Sequence, residues 1–222
     1  MGKNREIILA SASPRRKELL SKLKVPFKIM VSSCEEKTDI TDPAGYVMSL
    51  SRQKAEDVLK ACEDEIVIGA DTVVAHNGLI MGKPKDKPDA VRMIRSFKGD
   101  VHQVYTGVSV AVKNPEASEM SMRAEIEAVL KDHAEKISIT ELSGNGLIIS
   151  FSVRTDVFVS DMSEEEIERY VDTGEPMDKA GAYGIQGDFA PFIRKIHGDY
   201  YNVVGLPVSA LYNVLKYFEI GK

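Results

Sequence analysis

The stretch Glu65 to Pro84, EIVIGADTVVAHNGLIMGKP, holds a strand, a tight turn and a returning strand. It opens on Ile66-Val67-Ile68, an apolar β-branched run that suits a pleated, buried surface. Gly69 and Ala70 are small enough for another part of the chain to come close, and Asp71 follows. Thr72 to His76 and Leu79 to Met81 then flank Asn77-Gly78, two residues that tolerate the positive φ angles of a type I′ hairpin turn. Counting outward from that turn places His76 opposite Leu79, Val74 opposite Met81 and Thr72 opposite Lys83, with Asp71 one step beyond. A carboxylate and an ammonium twelve positions apart are therefore expected on the same side of the hairpin. An exposed ion pair of this kind contributes little stability; the same pair in a cleft would be chemistry.

The chain around this hairpin has 222 residues, 43% of them hydrophobic, enough for one large domain or two small ones. Its net charge of −5 argues against sequence-independent nucleic-acid binding, which needs a basic surface. The charge is uneven, however: residues 1–30 hold eight Lys or Arg against two Glu, a local excess that invites an anionic ligand. Cys34 and Cys62 make no disulfide framework and no CxxC, and read as reduced thiols of a cytoplasmic protein. The apolar run Ile7 to Ala10 is too short for a signal peptide, and nothing approaches membrane-spanning length.

At the N-terminus, Glu6 to Ala10 reads as a strand, followed by Ser11-Ala12-Ser13-Pro14 and a helix with Ser13 as N-cap and Pro14 in its first turn. Arg15, Arg16 and Lys17 put three positive charges at the positive end of that helix, where acids are favoured. Strand, small-residue turn and cationic helix start together describe a phosphate site. Val25 to Val31 reads as a second strand, and residues 43–61 as a helix with Tyr46, Val47, Leu50, Ala55, Val58 and Leu59 on its apolar face and Lys54 on the other side. Asp89 to Phe97 is expected to be a short helix closed by Gly99, and Val101 to Val112 a strand interrupted at Gly107.

Residues 113–146 change character: they are acidic, contain Pro115, Gly144 and Gly146, and read as an insertion or flap carrying an amphipathic helix. Ser163 to Glu166 is a capping box. Asp178 to Gly187, DKAGAYGIQG, has three glycines in ten positions but the spacing of neither a Walker loop nor a Rossmann fingerprint. Phe192–Ile196 and Tyr200–Val204 are predicted to pair as a hairpin around His197-Gly198-Asp199, before a last helix opened by Pro207. The four histidines show no metal-ligand spacing, and no G-x-S-x-G is present.

LASASPRRKELL, GADTVV with MGKP, DKAGAYGIQG and GDYYNVVGLP, in this order, resemble the Maf family of nucleoside triphosphate pyrophosphatases. The resemblance runs through nearly the whole chain, 1–222 as one Maf-like domain, with 113–146 as the departure. It implies an α/β fold of the inosine triphosphate pyrophosphatase type, an elongated mixed β-sheet flanked by helices with a deep cleft. The implied reaction cleaves a nucleotide between its α- and β-phosphates with a divalent metal (Mg²⁺ or Mn²⁺). Matching residue by residue, the resemblance makes Asp71 the proton acceptor that activates water, with Lys83, Lys54 and Glu36 beside it and Ser11, Arg15 and Arg16 on the substrate. It offers Glu36 and Asp71 as metal ligands without choosing between them. Arg15, Thr72 and Gln186 match the branch acting on dTTP and UTP rather than the one acting on 7-methyl-GTP, and modified pyrimidine nucleotides are compatible with it. A nucleotide-binding regulator of septum formation with little turnover is the alternative, and homodimerisation is left open. The chemistry agrees: four cations can stabilise charge developing on a leaving pyrophosphate, while carboxylates hold metal and orient water.

Overall fold

The computed structural model describes residues 5–143, 145–218 and 220. In chain order its elements are β1 (Ile7–Leu9), α1 (Pro14–Ser21), β2 (Phe27–Ile29), α2 (Pro43–Leu59), β3 (Ile66–His76), β4 (Leu79–Met81), α3 (Lys87–Phe97) and β5 (Val101–Lys113). There follow α4 (Ala117–Ser121), α5 (Arg123–Leu130), β6 (Lys136–Leu142), β7 (Gly146–Val159), α6 (Glu164–Asp172), β8 (Ile193–His197), α7 (Tyr200–Val204) and α8 (Val208–Leu215). Among the described residues the strands form one eight-stranded sheet in the order β2-β1-β3-β5-β7-β6, with β4 added to β3 and β8 to β7. β1 runs parallel to both β2 and β3, and the other pairings are antiparallel. The fold is α/β with a mixed sheet flanked by helices. No described helix is long and apolar enough to cross a membrane.

The central hairpin closes through Asn77 (φ 51°) and Gly78 (φ 78°), with His76 opposite Leu79 and Val74 opposite Met81. β4 stops at Met81, however, so the expected Thr72–Lys83 pair does not form, and on its other side Thr72 faces Thr106 of β5. β5 is not interrupted at Gly107: the strand passes straight through, and the missing side chain serves packing instead. A Cβ on Gly107 would lie 2.3 Å from the Val47 carbonyl oxygen, and one on Gly69 would lie 2.1 Å from that of Ser51. Both glycines let the backbone of α2 rest directly on β3 and β5. Beneath the helix, the buried hydroxyls of Ser51, Ser109 and Ser150 form a chain of 2.9 and 2.8 Å contacts, so the polar groups sealed there are satisfied.

Alternation along β3 sorts its side chains between two faces. Ile66, Ile68 and Ala70 join the core formed with α1, α5 and α8, whereas Val67 packs with Ala55, Val58 and Leu59 of α2. A third cluster, built on Val74, Val104, Phe97 and Phe189, is covered by α3 and α6. α6 begins with the expected capping box from Ser163 and Glu166, and α3 is followed two residues on by Gly99 (φ 69°).

Two further expectations are corrected. Residues 113–146 are no flap: β6 pairs with β7 over its whole length, and Ile126, Leu130 and Ile139 are buried in the core beside Leu211 and Leu215. Gly144, cited as a mark of that segment, lies outside the described residues. Tyr200–Val204 is α7 rather than a strand, because Asp199 accepts from the Tyr201 amide at 2.8 Å and Gly205 (φ 123°) ends the turn. Two caps override the β-preference of the Tyr and Val residues.

The glycine contacts give a direct test. Gly69→Ala forces a methyl onto the Ser51 carbonyl and is expected to lose about 1–3 kcal/mol of stability, the usual range for overpacking. Urea unfolding measures this, and a variant as stable as wild type would show that α2 is not held by this approach.

Candidate active site

β1 covers Ile66 to Ile68 on one edge of β3, and β4 covers Val74 to His76 on the same edge. Between them, Gly69 to Val73 has no strand partner on that edge among the described residues, while β5 pairs along the other. Asp71 and Thr72 occupy this gap and look into a cleft of about 880 Å³, within the size range of small-molecule sites. Every residue singled out from sequence lines it: Ser11, Arg15, Arg16, Glu36, Lys54, Asp71, Thr72, Lys83 and Gln186.

On the α2 face of the gap, Lys54 Nζ lies 2.7 Å from Asp71 Oδ1 and 3.0 Å from Glu36 Oε2. The side chains of Lys54 and Asp71 are only 12% and 14% exposed and that of Glu36 is 41% exposed, so water screens the inner pair least. Lys54, expected on the outer side of its helix, thus points into the cleft and replaces Lys83 as the ion partner of Asp71. Glu36 is delivered by a loop tied to α2 on both sides. Asp57 accepts from the Ser32 hydroxyl and the Ser33 amide, each at 3.0 Å, and Gln53 exchanges hydrogen bonds with the Lys37 backbone at 3.1 and 2.8 Å.

On the opposite face, Ser13 caps α1 by accepting from the Arg16 amide, and the Ser13 amide donates to Ser11 Oγ at 3.3 Å. Arg16 donates from Nε to the Gly205 carbonyl (3.0 Å), from Nη1 to Ser11 Oγ (3.3 Å) and from Nη2 to Thr72 Oγ1 (3.1 Å). Of its five N–H groups this leaves two, one on each terminal nitrogen. Burial pushes the Arg16 pKa down and nearby Asp71 pushes it back up, so the guanidinium is anchored but short of counter-charge. Arg15, half-buried, reaches across the mouth to within 3.9 Å of Asp178.

The glycine-rich segment 178–187 closes the third side. Glu175 accepts from the Tyr170 hydroxyl (3.1 Å) and the Asp188 amide (2.7 Å), pinning the turn from which exposed Gln186 projects. Lys179 donates to the Glu175 carbonyl and to Asp178, and that ammonium holds the Asp178 carboxyl below its usual range. Behind the wall, the Tyr183 hydroxyl meets His102 Nε2 at 2.7 Å. Burial pushes the Tyr183 phenol up and lowers the His102 pKa to about 3.

Sequence reading missed Lys179, Thr106, Asn202 and the Gly205 carbonyl. Thr106 sits inside an apolar run and carries no local signal; Gly205 is visible only as a helix-ending glycine. No group of three or more His, Cys, Asp or Glu side chains is placed to hold a metal ion among the described residues; the two carboxylates that meet at Lys54 are Glu36 and Asp71.

A family model described as "Maf-like protein" matches residues 6–218. A dTTP/UTP pyrophosphatase of Alkaliphilus metalliredigens is 46% identical over 217 residues, 96% of this chain and 97% of the relative. One from Lachnoclostridium phytofermentans is 43% identical over 216 residues, covering 97% and 96%, and one from Bacillus cytotoxicus is 42% identical over 218 residues, covering 98% and 97%.

His102 supplies a pH prediction. Its pKa in the fold is about 3, below the ordinary value of 6.5, so between those values the unfolded chain binds a proton that the fold excludes. The stability this contributes is complete above pH 6.5 and is lost as pH falls toward 3, at up to about 1.4 kcal/mol per pH unit for one proton. Unfolding free energy against pH is expected to slope less steeply in His102→Gln over this window, and parallel curves would exclude the effect.

Proposed function

The chain belongs to the Maf family, and from that premise we propose that it is a cytoplasmic nucleoside triphosphate pyrophosphatase acting on dTTP and UTP. The observation that carries this reading is the cleft at the β3 gap. There Arg15, Arg16 and Lys83 line the same space as a buried ammonium bound to two carboxylates. A triphosphate has the charge to meet those cations, and the relatives, named as dTTP/UTP pyrophosphatases, suggest the nucleotide class.

Lys54 holds Asp71 by Oδ1, which leaves Oδ2 to accept a proton from water. The water oxygen forms a new bond to the α-phosphorus, the bridging oxygen leaves with pyrophosphate, and the water proton passes to Asp71. Arg15, Arg16 and Lys83 meet the charge that develops on the departing group. Glu36 and Asp71 are the carboxylates that would hold a hard divalent ion. Mg²⁺ or Mn²⁺ held there would supply neutralisation of phosphate charge. Gln186, whose amide offers both a donor and an acceptor, suits the O4 and N3–H of uracil or thymine.

Two experiments check this reading. Asp71→Asn is expected to lower pyrophosphate release by about 10²–10⁴ while nucleotide binding persists; near wild-type turnover would remove Asp71 from the mechanism. Wild-type kcat/KM over dTTP, UTP, CTP, GTP and 7-methyl-GTP is expected to be highest for the first two and lowest for the last. Gln186→Glu keeps an acceptor for N3–H and loses the donor to O4, so dTTP efficiency is expected to fall about 5- to 150-fold relative to CTP. An unchanged ranking would refute the role of Gln186, and binding without turnover of any of the five would favour a regulator.

A further inference from the structure

Beneath Thr72 lies a hydrogen-bond chain whose direction is fixed by its two ends. Arg16 Nη2 and Thr72 Oγ1 are 3.1 Å apart, Thr72 and Thr106 Oγ1 2.9 Å, and Thr106 Oγ1 and the Asn202 carbonyl 2.9 Å. A guanidinium only donates and a carbonyl only accepts. The Thr106 proton must therefore go to Asn202, and the proton between the two threonines must come from Thr72. Thr106 and Asn202 are completely buried, so no water offers either an alternative. The Asn202 side chain fixes the far end, donating to the Val104 carbonyl and to Thr155 Oγ1, each at 3.0 Å.

We propose that Thr106 is a positioning residue for ligand selection: by directing its proton to Asn202 it makes Thr72 face the cleft as an acceptor only. Thr72 accepts from Arg16 and donates inward, so one lone pair remains for a ligand. That lone pair takes a hydrogen-bond donor and repels a phosphate or carbonyl oxygen. On a pyrimidine nucleotide the available donors are the imide N3–H of thymine or uracil, which Thr72 would share with the Gln186 carbonyl, the 4-amino group of cytosine, and the hydroxyls of the sugar. Cytosine presents an unprotonated N3 and is disfavoured where position 3 of the base is what Thr72 meets. The proposal rests on reading the cleft as a nucleotide site, and extends recognition to a residue that touches no ligand.

The test is equilibrium binding of dTTP, dCTP and 2′,3′-dideoxy-TTP, measured by calorimetry in EDTA so that turnover does not intervene. Wild type is expected to prefer dTTP over dCTP, which lacks the imide proton, or over the dideoxy nucleotide, which lacks the sugar hydroxyl. Thr106→Val keeps the shape, frees the Thr72 proton to turn outward, and is expected to narrow that preference by about five-fold or more. Thr106→Ser keeps the chain and is expected to keep the preference. In a Thr72→Val background, adding Thr106→Val is expected to change neither ratio. Where Thr106→Val fails to fold, Thr106→Ala against Thr106→Ser makes the same comparison. Narrowing in the dCTP arm places the donor on the base, and narrowing in the dideoxy arm places it on the sugar. The proposal is overturned if all three affinities fall by one factor, if the effect persists without the Thr72 hydroxyl, or if wild type shows neither preference. A wild type that binds dTTP selectively but does not hydrolyse it with Mg²⁺ would refute the hydrolase reading alone.

Discussion

The site depends on how closely α2 can lie on the sheet. At Gly69 and Gly107 the carbonyls of Ser51 and Val47 occupy space that any side chain on the strand would need. Gly69 and Asp71 are two residues apart on the same strand and therefore share a face. Ser51 and Lys54 are three apart on the helix, within one turn. The contact that sets the height of the helix thus also sets the reach of Lys54 to Asp71. A helix held farther out by even one methyl group would carry Lys54 away from a 2.7 Å contact.

The Lys54–Asp71 pair governs placement more than stability. At 2.7 Å and an effective dielectric constant of 20, its attraction is about 6 kcal/mol. Withdrawing two ions from water costs several kcal/mol each, so the two nearly cancel. What remains is geometry: one carboxylate oxygen is occupied, the other is free, and the loop bearing Glu36 is drawn to the same ammonium. Arg16 follows the same pattern on the other face, with three hydrogen bonds fixing its plane and burial leaving its charge incompletely compensated. Both cations are held in position before any ligand arrives, which lowers the ordering entropy that binding must overcome.

Local rules were legible wherever one residue acts on its own neighbours. Asn77-Gly78, Ser13-Pro14 and Ser163 to Glu166 each specify a turn or a cap within a few positions, and each lies where its chemistry requires. Misreadings arose where a distant contact decides. The Tyr200–Val204 segment has strand-forming residues, yet Asp199 and Gly205 cap it and Asn202 is buried against β5 and β7, so it is helical. Residues 113–146 look like a flap by composition because most of their acids face water, while Glu119 is buried against Arg5 and Ile126, Leu130 and Ile139 face inward. Lys54 is unremarkable on a helical wheel, and its orientation follows only from where β3 runs.

The pleat of β3 sets the acid and the hydroxyl of one strand on separate sides. Asp71 and Thr72 are adjacent and must point to opposite faces: Asp71 to α2 with Lys54 and Glu36, Thr72 to α1 and α7 with Arg16 and Thr106. Only where β3 lacks a neighbour on one edge can one cleft reach both faces, and the gap between β1 and β4 provides that opening. A one-residue slip of β3 against β5 would exchange the faces, setting a hydroxyl before Lys54 or, in the other direction, a carboxylate before Thr106. Register is protected against this by the glycines, since a slip would bring Ile68 or Ala70 under the Ser51 carbonyl, where no side chain fits. The same packing that places α2 therefore also keeps the acid and the hydroxyl on their own sides.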